Sequence, residues 1–275
     1  FLKLALILAL AHWGHLMLNA ILIRDFRIYS RNRRYFSISI LYIIILCATV
    51  FGMLWFADTS KKPLNPEYGS SVFSVLIIAI SLAIYSISPA FAVNIMSSEK
   101  QSLDLIKPTL IRNHQIISSK ILTLVTYILI LILLSFPIII LAMPISGFSF
   151  ANIVGFYLLI FVFALAFGIM GIMWSSIFNR MTAMSVTYIS VGIFTLGTIL
   201  TPAIMAKVLQ VKLSSAIISV LNALSPFWIL LKKISESNLS DKIFIIPLWL
   251  FPILVYLLIS VIGIIVAFMA LQKTK

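Results

Sequence analysis

From residue 121 to residue 179 the chain carries no Asp, Glu, Lys, Arg or His. A membrane-spanning helix needs about 20 apolar residues in succession. This one stretch therefore holds two of them, with Met143-Pro144-Ile145-Ser146-Gly147 as the turn between. A soluble domain has no place for such a run, because roughly 25% of its residues are charged. Here 10% of the 275 residues are charged, 62% are hydrophobic, and the mean hydropathy is +1.18. The fold class expected is all-α and polytopic.

Six spans are predicted, at residues 37–57, 72–96, 121–142, 153–174, 184–206 and 243–271. The net charge of +13 sits largely in short loops between apolar runs. That pattern orients a membrane chain and meets anionic headgroups; it is not a nucleic-acid signature. Arg24, Arg27, Arg31, Arg33 and Arg34 precede the first span, and Lys100, Lys107, Arg112 and Lys120 separate the second and third. Arg180 separates the fourth and fifth, and Lys273 and Lys275 end the chain. Six spans put all of these on one side, which the positive-inside rule makes the cytoplasm. Both termini are then expected inside, at the cytoplasmic membrane. The chain begins with Phe1 rather than Met, which suggests a gene product that starts further upstream.

Residues 207–242 strain that count, since they would place five lysines outside. Residues 213–231 are apolar enough for a seventh span, but Asn222, Ser225 and Pro226 lie near the middle. Ser-Pro favours a break into two short helices dipping into the outer leaflet, where protein or water must cover the irregular backbone. At the other end, residues 1–36 are expected as a separate N-terminal segment before the six-helix transmembrane domain of residues 37–275. Leu18, Leu22, Phe26 and Tyr29 share one helical stripe, with Arg24, Arg27, Arg31 and Arg34 on the opposite one. This is the pattern of an interfacial amphipathic helix; Arg33 falls on the apolar side and must snorkel.

No catalytic constellation is present, and an enzyme is not expected. None of the acids Asp25, Asp58, Glu67, Glu99, Asp104, Glu236 and Asp241 falls inside a predicted span, and no buried ionisable group of the kind that marks ion pathways is expected. His12 and His15 lack a third ligand nearby, and lone Cys47 excludes an intrachain disulfide or thiol cluster, so no metal or other cofactor is expected. No Gly-rich Lys-Ser/Thr loop exists to hold ATP phosphates. Gly168 and Gly171, with Ser175, make a small-residue face for close approach of another helix, either of the same chain or of a second copy. Ser81, Tyr85, Ser88 and Asn94 with Ser185, Thr195 and Thr198 could line a polar path, although membrane Ser and Thr often bond their own backbone.

The segment 97–120 gathers Glu99, Lys100, Asp104, Lys107, Arg112 and Lys120 between two uncharged runs. A membrane protein has little reason to keep such a loop unless it touches something in water. Its core, Glu99-Lys100-Gln101-Ser102-Leu103-Asp104-Leu105-Ile106, is similar to the coupling segment of type-2 ATP-binding-cassette (ABC) exporter permeases. The stretches 19–27 and 31–36 resemble that family's lead into its first span, and 174–183 its loop between spans four and five. Leu224-Ser225-Pro226-Phe227 resembles its outer hairpin. The likeness runs from about Leu18 to the end; Pro108-Thr109 and Ser118-Ser119 depart from the usual Thr-Pro and from the usual glycine before Lys120.

The resemblance implies six spans, an amphipathic connecting helix, a coupling loop at 97–120 and an outer re-entrant helical hairpin at 207–242. It implies two ABC ATPase subunits per complex, which carry the ATP and Mg, and a second permease chain, identical or related. Glu99, Lys100, Leu103, Asp104 and Arg112 would then meet the ATPase. The apolar character of the spans suits a hydrophobic or amphiphilic substrate. A lipid scramblase or an accessory or immunity-type subunit, without ATP drive, is the competing reading.

Overall fold

A computed structural model describes residues 33–59, 66–106, 113–146, 150–198, 200–201, 215–235, 242–243, 246–247 and 250–273. In chain order these form α1 (Arg33–Thr59), α2 (Pro66–Ile106), α3 (Asn113–Ser146), α4 (Phe150–Ile177) and α5 (Arg180–Gly192). Helix α5 runs on through a π-helical turn, Ile193–Gly197. Two short helices follow, α6 (Ser215–Leu224) and α7 (Pro226–Ser235), and then a minimal antiparallel pair, β1 (Lys242–Ile243) with β2 (Ile246–Pro247). Helix α8 (Leu250–Lys273) is last.

Among the described residues, four helices are long and apolar enough to cross a membrane: Ser71–Ser98 within α2, Ile116–Met143 within α3, Phe150–Ile177, and Leu250–Gln272 within α8. Their outer faces are as apolar as their inner ones. Leu129 and Leu133 of α3 and Leu257, Leu258, Val261, Ile262 and Ile265 of α8 are exposed. A soluble protein cannot keep apolar surface of that extent in water, so the protein is membrane-embedded.

Helix α4 lies at the centre. Two-thirds of its apolar window is buried within the protein (67%), against 22% for α8. Aromatic contacts fix the levels of its neighbours: Phe91 of α2 stacks on Tyr127 of α3 with centroids 3.8 Å apart, and Phe73 of α2 meets Phe156 of α4 at 5.9 Å. Helix α1 stands at the edge. Tyr42 and Leu46 tie it to the core, while Phe36, Leu41, Ile44, Phe51 and Trp55 face outward.

The segment expected as a loop at 97–120 is helical at both ends, since α2 continues to Ile106 and α3 begins at Asn113. Nothing between Pro89 and Pro108 breaks a helix, and Glu, Lys, Gln and Leu favour one; Pro108 then disfavours helix in the residue before it. The last span starts at Leu250 rather than near 243, because Lys242–Ile243 and Ile246–Pro247 pair as strands ahead of it. Pro247, which has no N–H to donate, sits in that pair just ahead of the helix. Helix α1, Arg33–Thr59, contains the expected first span, and α5 changes to π geometry within the expected fifth.

Candidate functional site

The interface between α2 and α4 is built on small residues. A Cβ added at Gly168 would lie 2.5 Å from Leu124 Cδ2 and 2.8 Å from Ser88 Oγ; one at Gly171 would lie 2.9 Å from the Pro89 carbonyl oxygen. The helix approached by Gly171 is thus α2 of the same chain. Hydroxyls use the proximity: Ser88 Oγ donates to the Ala164 carbonyl at 2.7 Å, the Ser97 and Ser175 hydroxyls are 2.8 Å apart, and Ser175 Oγ lies 3.2 Å from the Val93 carbonyl. Pro89 removes one backbone donor from the middle of α2. Beside it, Tyr188 of α5 donates to the Ser86 carbonyl at 2.8 Å.

A second constellation lies where α6 and α7 meet. Ser225 separates them and is fully buried; its Oγ donates to the Thr195 carbonyl, inside the π turn, at 3.0 Å. Tyr256 of α8 donates to the Leu224 carbonyl, also at 3.0 Å. Under this turn six rings converge from five elements. Phe163 and Phe167 of α4 each meet Tyr85 of α2 and Tyr256 of α8 edge to face, at 4.9–6.3 Å. Phe227 of α7 lies 5.7 Å from Tyr85, and Phe194 of the π turn 5.9 Å from Tyr256. A π turn inside a helix is frequently found at functional sites.

The suggested polar path resolves unevenly. Ser81, Ser185, Thr195 and Thr198 each donate to a carbonyl of their own helix, three or four residues earlier. Ser88 crosses to α4 instead, while Tyr85 Oη and Asn94 Oδ1 are buried atoms with no hydrogen-bond partner. The charged residues singled out in sequence are less completely placed. Glu99, Lys100, Leu103 and Asp104 fall on the last turns of α2, and Arg34 in the first turn of α1. Arg24, Arg27, Arg31, Arg112, His12 and His15 lie outside the described residues. Among the described residues, no three His, Cys, Asp or Glu come together as a metal site.

One residue overturns an expectation. Lys120, read from sequence as part of the loop, is fully buried, so the protein does hold a buried ionisable group. It lies one turn before Leu124, which packs on Gly168 of α4, and two turns before Tyr127, which stacks on Phe91 of α2. That places it on the buried stripe of α3 near the polar ends of α2 and α4.

A scan against protein-family models finds no match, and a search of curated proteins finds none.

Proposed function

We propose that this chain is the permease subunit of a type-2 ABC exporter, moving a hydrophobic or amphiphilic substrate across the cytoplasmic membrane with ATP hydrolysed by a separate ATPase. In this reading α1 and α5, with the residues that follow α5, cross beside the four long spans, giving six. Helices α6 and α7, each about 15 Å long at 1.5 Å per residue, are too short to cross a core of about 30 Å. They form the re-entrant hairpin on the outer side, and both termini are cytoplasmic. Two such chains and two ATPases make the complex, with ATP and Mg held by the ATPases and lipid around the spans.

The observation that carries the reading is the continuity of α2. It is one helix of 41 residues whose apolar stretch ends at Ser98, and the eight residues beyond it project about 12 Å further. The same rod bears Glu99, Lys100, Leu103 and Asp104 at one end, the α4 interface along its middle, and Tyr85 under the hairpin turn. Force applied by an ATPase to the polar end reaches the core without a hinge of loop, as rigid-body alternating access requires. Glu99→Ala with Asp104→Ala is the test. The double variant should insert and fold normally yet leave ATP hydrolysis uncoupled from transport. Transport at the parental rate would place the coupling elsewhere.

A further inference from the structure

The geometry points to the ring cluster beneath the Ser225 turn as a recognition chamber for an uncharged amphiphile, an apolar chain with a hydroxyl or carbonyl head, which Tyr85 would hydrogen-bond. The inference rests on the exporter reading for the role of the site, but the binding can be measured without an ATPase.

The argument starts from the phenol of Tyr85. It is buried near the middle of the apolar stretch of α2 and has no hydrogen-bond partner. An unsatisfied buried hydroxyl costs free energy that a phenylalanine in the same space would avoid. The other hydroxyls around it are satisfied: Ser88 by Ala164, Ser225 by Thr195, Tyr256 by Leu224 and Thr195 by Val191. Tyr85 is the exception, and a ligand that supplies an acceptor accounts for it.

The cover over this phenol is a single turn between two short helices. Phe227 lies against the Tyr85 ring, Ile229 and Leu230 just beyond it are buried in the core, and side-chain hydrogen bonds run from Ser225 to the π turn and from Tyr256 to Leu224. Withdrawal of the turn releases the Tyr256 hydroxyl as a donor and the Thr195 carbonyl as an acceptor. Phe163 and Phe167 each contact both tyrosine rings, and Phe194 flanks Tyr256, so apolar rings separate the two phenols. Each of these six residues is uncharged, and burying a charge there without a partner would cost far more than burying a neutral polar head. The chemistry selected is therefore a neutral head on an apolar chain, at the mid-membrane depth where transporter sites are found.

The test uses the purified full chain in nanodiscs and a long-chain alcohol with a mid-chain diazirine, beside the matching carboxylate. Photolabelled positions are mapped by peptide mass spectrometry, and melting is measured without ligand. The alcohol should label peptides carrying Phe163, Phe167 or Phe227 in preference to the carboxylate. Tyr85→Phe should reduce that labelling about fivefold, the worth of one neutral hydrogen bond, while melting at or above the parental temperature. Phe227→Ala, which opens the cover, should raise it. Equal labelling by alcohol and carboxylate, or labelling unchanged in Tyr85→Phe, overturns the proposal. So does a lowered melting temperature in Tyr85→Phe, since the phenol would then have a structural partner such as a trapped water. If labelling follows the expectation and no ATPase associates with the chain, the chamber stands and the exporter reading falls.

Discussion

Replacing Gly171 by Ala should loosen the protein more than its single methyl suggests. The added carbon would lie 2.9 Å from the Pro89 carbonyl oxygen, 3.1 Å from Ala92 Cβ and 3.4 Å from Val93 Cγ2. The nearest atom is backbone, so it cannot rotate aside, and α2 must retreat by about 0.5 Å to restore ordinary contact. The Ser175–Val93 bond, already 3.2 Å, then passes out of hydrogen-bond range, whereas Ser88–Ala164 at 2.7 Å and Ser97–Ser175 at 2.8 Å lengthen but survive. Overpacking costs about 1–3 kcal/mol and the lost interhelical bond about 0.6. The better helix propensity of Ala returns about 1. The net loss is about 0.6–2.6 kcal/mol, at about 2–4 °C of melting temperature per kcal/mol for a large domain. Gly52→Ala is the control, because nothing lies within 4 Å of its added carbon; it should be neutral or slightly stabilising. Melting of both variants in detergent, followed by size-exclusion fluorescence, decides the matter. If Gly171→Ala melts at or above Gly52→Ala, the close α2–α4 approach does not hold the fold together as argued.

Two further outcomes are expected. A cytoplasm-dependent reporter fused after Lys275 should be active and one inserted near Pro63 silent; the reverse for the tail would mean an odd number of crossings. Lys120→Met keeps the length of the buried side chain but removes its amine, and loss of the interaction that amine makes should lower stability by about 1–3 kcal/mol. Unchanged melting would show that the Lys120 amine takes no part in holding the helices together.

The long apolar runs made four of the spans legible, because exclusion of charge over a bilayer thickness is a property of sequence alone. The break at Ser225-Pro226 was legible for a similar reason, since backbone chemistry acts locally there. Lys120 was not. A lysine at the edge of an apolar run reads as loop, and only the packing of Leu124 and Tyr127 on the same stripe shows that the run begins earlier, at Ile116. The small-residue face of α4 was visible, but its partner was not, because Gly168 and Gly171 would serve a second copy equally well. The π turn at Ile193–Gly197 left no mark in composition, and the convergence of Tyr85, Phe227 and Tyr256 depends on elements far apart in the chain. The helical extension of α2 was obscured by its charges. They suggested a loop, although the residue types themselves favour helix.

The central claim is that a soluble ATPase drives this membrane chain through the end of α2. Native mass spectrometry of the chain purified from its own membrane tests it most directly, with the parental chain and the Glu99→Ala/Asp104→Ala variant side by side. The account predicts a complex of two permease chains with two subunits that carry a phosphate-binding loop and an ABC signature. It also predicts that substrate-stimulated ATP hydrolysis by that complex is lost in the variant. A chain that purifies without any such ATPase, or a variant whose hydrolysis still responds to substrate as the parent does, would contradict it.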